Sequence, residues 1–282
     1  MCSYSRVGRA EIESKILVYE TLAVPAVFYN LEVWTNLRKS DQEELMKIEG
    51  KILRSLFGMP KTTPYWGVVC ELGIRPIKLT LLYKKLMLYH NFINSDDERK
   101  VRTLVEAQKE SGIEQCWYAE VKKETEEIGI DLDKEEVKGK MKSKWKKEVK
   151  KKIKEAEEKL FTEKRMEMKK LRFLATKGCD TYLKEIYNED ARQAMKIRMN
   201  MVEWIEGNVG KEAPCPLCYR GMDTTEHVFA CKEMGEWGVT VKDLENGTQM
   251  MNIVEMFREN EDRRRIMVMN EIETKMMGGM NM

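Results

Sequence analysis

The sequence predicts a mainly α-helical protein. Apolar residues recur at spacings of three and four through most of the chain, and no alternating apolar–polar run of strand length precedes residue 210. Within this fold class we expect a helical bundle, one long charged helix and a small cysteine-rich module.

Composition excludes several classes of protein. Of the 282 residues, 42% are hydrophobic, which is enough for a core and argues against a wholly disordered chain. Six prolines and 17 glycines exclude a collagen-like or proline-rich chain. Seven cysteines are an odd number, and only three of them cluster. A disulfide framework is therefore not expected. This number and distribution of cysteines favours a reducing compartment inside the cell, either the cytoplasm or the nucleus.

No membrane association or secretory signal is predicted. Met1 is not followed by a basic patch and an uninterrupted apolar run. The most apolar stretch, residues 16–34, contains Glu20, Asn30 and Glu32. Because a membrane span needs about 20 mostly apolar residues, we interpret this stretch as a buried helix.

Helix boundaries can be placed by capping and breaking residues. Ser40 and Glu43 form a capping-box pattern that predicts a helix ending near Gly58. Pro64 and Pro76 each predict the start of a further helix. Polar residues 94–97 and the two glycines of 207–210 suggest boundaries, so we expect the segments 1–93, 94–205, 206–240 and 241–282.

A long basic helix is predicted after residue 134. Residues 134–177 carry 18 Lys and Arg against 8 Asp and Glu, a net charge of +10, whereas the whole chain carries +2. A narrow apolar stripe runs through this helix at Met141, Trp145, Val149, Ile153, Ala156 and Leu160. Between the stripe residues lie candidate phosphate-binding lysines: Lys144, Lys146, Lys147, Lys150, Lys151, Lys152 and Lys154. The alternative is a solvated face with internal ion pairs such as Glu148–Lys152.

One motif points to metal chemistry. Cys215, Cys218, His227 and Cys231 follow the spacing C-x2-C-x8-H-x3-C. Three thiolates and one imidazole satisfy tetrahedral Zn2+, and four protein ligands leave no position open for substrate. The sequence therefore predicts a structural zinc knuckle, against the alternative that these cysteines are only small buried side chains.

Other chemistry-bearing residues are given plainer interpretations. Cys2, Cys70, Cys116, Cys179 and His90 are expected to be structural. Tyr219 and Arg220 follow the second cysteine directly and could stack on a base and contact a phosphate, or could be solvated loop residues.

The order of these features resembles the C-terminal part of LINE-type, non-LTR retrotransposon reverse transcriptases. Residues 22–34 resemble the P-x-L-x-Y-G-x-E-x-W segment that follows the polymerase palm, with Asn30 in place of the usual glycine. Residues 51–60 and 70–77 resemble the R-x-x-L-G-L-P and E-L-G-x-x-P-L segments of that family. A charged linker, a helix with residues 196–199 and the Cys-Cys-His-Cys knuckle follow in the family's order.

The resemblance implies a thumb-like bundle over 1–93, a linker over 94–205 and a zinc knuckle over 206–240. It also implies binding of RNA, DNA or both, without a small-molecule substrate. The family's polymerase site needs an aromatic-x-Asp-Asp loop, which this sequence lacks; Asp96-Asp97 follow Asn94-Ser95 in a polar break. We therefore expect a C-terminal fragment that is not an enzyme by itself.

Two other hypotheses remain open at the level of sequence. In one, the chain is a zinc-stabilised helical protein-interaction module, in which the apolar stripe of the long helix pairs with a partner. In the other, the fragment has no function as a separate protein. The oligomeric state and the preference for RNA or DNA do not follow from the sequence.

Overall fold

The predicted fold class is confirmed by a computed structural model, in which the protein is mainly α-helical. The structure describes residues 12–278 except for 36, 97–99, 134–136, 175–181, 186–187, 203 and 206–212. No β-strand occurs within these described ranges, and a single antiparallel bridge joins Pro214 and Met222. The α-helices are α1 Ile12–Val18, α2 Val24–Val27, α3 Lys39–Phe57, α4 Tyr65–Glu71, α5 Ile77–Ile93, α6 Lys100–Ser111, α7 Trp117–Glu126, α8 Lys142–Glu167, α9 Tyr182–Glu185, α10 Asn188–Arg198, α11 Thr225–Ala230, α12 Val241–Asn246 and α13 Met250–Gly278.

The chain divides into two compact units that are discontinuous in sequence. The terminal unit comprises Met1–Lys15, Phe57–Gly73 and Arg165–Met282, and the middle unit comprises Ile16–Leu56 and Ile74–Lys164. Of the four segments expected from the sequence, 1–93 and 94–205 each contain residues of both units, whereas 206–240 and 241–282 lie within the terminal unit. The segment boundaries stay a prediction.

The middle unit is organised around a core to which α5, α6, α7 and α8 all contribute. Leu86, Val121, Val149 and Ile153 are completely buried there. Trp145 lies in the same core and donates a hydrogen bond from Nε1 to the Leu86 carbonyl oxygen over 3.1 Å. The apolar stripe of α8 therefore packs within its own unit, so the interaction hypothesis loses the surface on which it depended. Met141 was wrongly included in the stripe, because it precedes α8 and its side chain is exposed, whereas Val137 and Trp145 on either side of it lie in the core.

A single buried helix over residues 16–34 was a wrong prediction. After α1 the chain forms one π-helical turn over Tyr19–Ala23, in which the Val24 N–H donates to the Tyr19 carbonyl. Pro25 follows; because it has no N–H to donate and its ring crowds the preceding turn, a regular α-helix is disfavoured here. Asn30, at φ 55°, then reverses the backbone before a short 3-10 turn over Leu31–Val33. Several large apolar side chains are consequently exposed: Leu17, Leu22, Val27, Tyr29, Val33 and Trp34.

Proline predicted helix starts better than the capping-box pattern did. Pro64 and Pro76 are the N-cap residues of α4 and α5, as expected. The predicted cap at Ser40 was wrong, because α3 begins one residue earlier and the Arg38 N–H donates to the Asp41 carboxylate over 3.0 Å. Helix α8, the predicted long basic helix, runs from Lys142 to Glu167.

The terminal unit is built on α10 and α13, which contact each other. Val254 and Phe257 are completely buried in this unit. A buried polar cluster lies in the same unit, where Arg198 donates from Nε to the Glu71 carboxylate over 2.8 Å and Tyr182 also donates to Glu71. Burial raises the pKa of the Glu71 carboxyl, although Arg198 and Tyr182 oppose that shift.

The structural interpretations of His90 and two cysteines agree with the structure. His90 is buried, with Nε2 2.8 Å from the Lys140 carbonyl oxygen and its ring stacked on Trp145. Cys70 is buried and Cys116 is half-buried. Cys2 and Cys179 lie outside the described residues. No helix in the described ranges combines the length and apolar composition that crossing a bilayer requires.

Candidate metal centre

A tight loop brings the first two cysteines of the motif together. The Cys215 N–H donates to the Gly221 carbonyl over 2.7 Å, and the Tyr219 N–H donates to the Cys215 carbonyl over 2.8 Å. Tyr219 adopts φ 56°, a left-handed conformation that few non-glycine residues take. This reversal keeps Cys215 and Cys218 on the same side of the loop.

Helix α11 supplies the other two donors. Thr224 is its N-cap, and the Thr224 hydroxyl accepts a hydrogen bond from the His227 N–H over 3.2 Å. His227 lies in the first turn, and Cys231 follows the last residue of the helix. A separation of four residues places their side chains on one face.

The four predicted ligands converge. The donor atoms of Cys215, Cys218, His227 and Cys231 all lie within 4.8 Å of one another, so the group could hold a metal ion. His227 Nε2 lies 3.2 Å from Cys218 Sγ. Bonds of about 2.3 Å to a tetrahedral ion would separate the sulfur atoms by roughly 3.8 Å, which this cluster can reach with small side-chain shifts. The residues present therefore fit a closed four-ligand site.

The thiols differ in their ease of ionisation. Burial opposes ionisation of Cys218, but the N–H groups of Arg220 and Gly221, together with His227 and Cys231, outweigh it and lower the Cys218 pKa to about 6. Burial raises the pKa of Cys231 to about 12, and the neighbouring Cys215 and Cys218 add to that shift. A bound cation would offset both the burial and the smaller repulsion from neighbouring thiolates that make Cys231 difficult to deprotonate.

Gly221 is a site residue that the sequence reasoning missed. A Cβ atom at this position would lie 2.3 Å from Cε1 and Nδ1 of His227. The imidazole therefore packs directly on the glycine backbone, and a side chain there would displace it. Nothing in the motif spacing marked this glycine, because the contact depends on how the loop folds back.

Two side-chain contacts attach α11 to neighbouring parts of the terminal unit. Thr225 donates to the Asn200 side-chain oxygen over 2.6 Å, and Arg172 pairs with Glu226 at 2.8 Å. The metal-binding segment is therefore integrated into this unit by its own side chains.

Tyr219 and Arg220 lie on the outer part of the loop. The Tyr219 side chain is 62% exposed, and Arg220 is also exposed. The Arg220 N–H donates to Cys218 Sγ over 3.5 Å, so the pair is fixed to the metal-binding loop by its backbone. Both side chains are therefore accessible to a ligand.

The candidate lysines of α8 fall into two groups. Lys151 and Lys152 lie 4.0 and 3.6 Å from Glu155, and Lys154 lies 3.9 Å from Glu158. Lys144, Lys146, Lys147 and Lys150 are exposed and form no ion pair within the described part of the chain. The expected Glu148–Lys152 pair was wrong, since Glu148 instead pairs with Lys140.

Comparisons with known proteins identify no relative: no family model, no curated protein and no solved structure matches the chain.

Proposed function

We propose that the chain is a nucleic-acid-binding C-terminal fragment of a LINE-type, non-LTR retrotransposon reverse transcriptase. The proposal is supported by the order of its sequence segments and by a row of exposed lysines on α8. The observation that carries the binding function is that Lys144, Lys146, Lys147 and Lys150 have no ion-pair partner among the described residues. Unpaired lysines on one helix suit contacts with successive phosphates.

Zinc is the metal we propose for the Cys3His group. Thiolate and imidazole donors favour Zn2+ over the hard cations Mg2+ and Ca2+, and zinc prefers four such ligands in a tetrahedron. Because Cys215, Cys218, His227 and Cys231 would fill all four positions, the ion would stabilise the local fold rather than activate water.

The exposed pair next to Cys218 suggests a second contact with the same ligand. The Tyr219 ring would stack on an unpaired base, and the Arg220 guanidinium would bind a phosphate. This chemistry suits single-stranded segments of RNA or DNA, whose bases are free to stack.

We propose a binding protein rather than an enzyme. The 282 residues contain no aromatic-x-Asp-Asp sequence that could hold the two metal ions of nucleotidyl transfer. A reducing compartment, cytoplasm or nucleus, would keep the free thiols available for zinc.

Salt-dependent binding tests the proposal. Affinities for single-stranded RNA, single-stranded DNA and duplex DNA would be measured across a salt series. We expect log Kd to change linearly with log salt concentration, with a slope that reports the number of phosphate contacts. A slope near zero would contradict nucleic-acid binding and would favour the protein-interaction hypothesis, through a surface other than the buried stripe of α8.

A matched pair of triple variants tests which lysines of α8 contact phosphates. Lys146→Gln/Lys147→Gln/Lys150→Gln removes unpaired charges, and Lys151→Gln/Lys152→Gln/Lys154→Gln removes paired ones. We expect the first triple variant to lower the slope by about two to three, because each lost phosphate contact changes it by roughly 0.7–0.9. The second should lower it by less, and equal effects would contradict the assignment to unpaired lysines.

A further inference from the structure

A buried ion pair joins the metal-binding loop to the last helix. Asp223 lies between the second cysteine and the histidine of the motif, and its side chain is inaccessible to solvent. Arg264, on α13, approaches it with two nitrogens: Nη1 donates to Oδ2 over 2.8 Å, and Nη2 donates to Oδ1. Such a two-point contact fixes the orientation of both groups as well as their separation.

Arg264 is itself held by its surroundings. Nε donates to the Asn260 side-chain oxygen over 2.6 Å, and Nη1 also donates to the Trp204 carbonyl over 3.1 Å. The guanidinium lies over the Trp204 ring, 4.7 Å from its centroid. The position of Asp223 is therefore set by a rigid partner on α13.

Asp223 in turn connects both arms of the metal site. Its N–H donates to the Ala213 carbonyl over 2.8 Å, two residues before the first cysteine. The next residue, Thr224, caps the helix that carries His227. A displacement of Asp223 would therefore move His227 relative to Cys215 and Cys218.

An apolar contact adds to this connection. Phe229 of α11 packs edge-on against Phe257 of α13, with ring centroids 5.8 Å apart. Trp204 also contacts Phe257, at 5.9 Å between ring centroids. Helix α13 is therefore attached to the metal-binding segment by a buried ion pair and by an aromatic cluster.

We propose that Arg264 is a positioning residue of the metal centre, so that metal binding and docking of α13 stabilise each other. Removing one partner of a buried pair leaves the other charge uncompensated and favours rearrangement of the loop. Coupling is reciprocal by thermodynamic necessity: if docking of α13 tightens metal binding, the metal must tighten the docking of α13 by the same factor. This inference rests on the metal-binding part of the proposed function and is independent of nucleic-acid binding.

Metal affinity in two arginine variants tests the first half of this proposal. Arg264→Met removes the positioning contact, and Arg265→Met is its control, because Arg265 is exposed on the same helix and pairs only with Glu261 among the described residues. Affinity for Zn2+ and Co2+ would be measured by competition with a chelator. We expect Arg264→Met to weaken binding by about tenfold or more, in the range found for groups that support metal ligands, and Arg265→Met to leave it unchanged.

Hydrogen exchange of the wild-type protein tests the second half without any variant. We expect the amides of residues 250–264 to exchange faster after the metal is removed, whereas those of α5 in the middle unit keep their rates. This measurement remains decisive if Arg264→Met does not fold. Arg264→Lys keeps the positive charge but not the two-point contact, so we expect its metal affinity to lie between those of the wild type and Arg264→Met.

The outcomes separate this proposal from the zinc proposal. Equal affinities for Arg264→Met and Arg265→Met, or unchanged exchange of α13 after metal removal, would overturn the coupling and leave the zinc site intact. A wild-type chain that binds neither Zn2+ nor Co2+ would overturn both.

Discussion

The candidate metal centre and the lysine face of α8 were both predicted from the sequence, but the structure supports the two predictions to different degrees. At the metal centre four donors from two separate segments converge within 4.8 Å. On α8 the lysines are spread along one exposed helix, and three of the seven candidates lie near glutamates of the same helix. The first arrangement has a geometry that few other roles would require, whereas the second is common on soluble helices.

This difference shows which kinds of site a fold can reveal. Three thiols and an imidazole within 4.8 Å of one another could act together on one metal ion, so their convergence favours a ligand-binding role. An exposed lysine is favourably solvated whether or not it binds phosphate, so its position alone does not distinguish the two roles. Substitutions in each region can therefore show whether the two sites differ as much in function as they do in geometry.

Loss of two metal ligands should have the largest effect. We expect Cys215→Ser/Cys218→Ser to reduce zinc from about one ion per chain to none and to unfold residues 213–234 locally, because metal binding and local folding are coupled. Elemental analysis and hydrogen exchange would measure both changes. Cys116→Ser is the control, since Cys116 is half-buried and lies outside the cluster. If the double variant bound as much zinc as the Cys116→Ser control, Cys215 and Cys218 would not be metal ligands.

Truncation of the buried face of α8 should have the next largest effect. Trp145 is almost completely buried and donates to the Leu86 carbonyl. We expect Trp145→Ala to destabilise the middle unit by about 3–5 kcal/mol, as large core truncations do. Lys144→Ala, next to it on the exposed side, should change stability by roughly 0.5 kcal/mol or less.

Urea unfolding of both variants would measure this difference. If Lys144→Ala were as destabilising as Trp145→Ala, the lysine face would have a structural role. The interpretation of these lysines as phosphate ligands would then lose its basis.

The fold was predictable where local chemistry decides it. Pro64 and Pro76 set helix starts through their own backbone, so these starts could be predicted without tertiary information. The four candidate ligands were predictable because the spacing of the three cysteines and the histidine along the chain is typical of zinc sites. The path of residues 16–34 was not, since apolar composition does not distinguish a buried helix from a half-exposed one that contains a π-helical turn at Tyr19–Ala23.

Contacts between distant residues account for what was missed at the site. Asp223 and Arg264 are 41 residues apart, and no local pattern connects them. Gly221 is close to His227 in sequence, but its role depends on the loop bringing the ring onto the glycine backbone. Charge composition predicted a basic surface on α8 without indicating which lysines would lie near glutamates.

Substitution of Gly221 should have an intermediate effect that is specific to the metal centre. A methyl group there would collide with the His227 ring, so we expect Gly221→Ala to weaken zinc binding by about 10- to 100-fold. Gly238→Ala is the control: nothing lies within 4 Å of its added Cβ, and only its positive φ is unfavourable. Chelator competition would measure both, and equal affinities would show that the imidazole moves aside without loss.

The smallest effect is expected at Tyr219, which connects the two regions because it belongs to the metal-binding loop but is proposed to contact nucleic acid. Tyr219→Asn removes the exposed ring while keeping a residue that tolerates the left-handed backbone at φ 56°. Loss of one stacked base should lower affinity for single-stranded RNA or DNA by about 1 kcal/mol, roughly fivefold, with zinc content unchanged. Arg220→Gln would report the adjacent phosphate contact through a smaller salt slope.

Unchanged affinity in Tyr219→Asn would make Tyr219 a solvated loop residue and leave binding to the lysines of α8. A loss of zinc would instead make the ring part of the metal centre, because the backbone conformation is preserved in this variant.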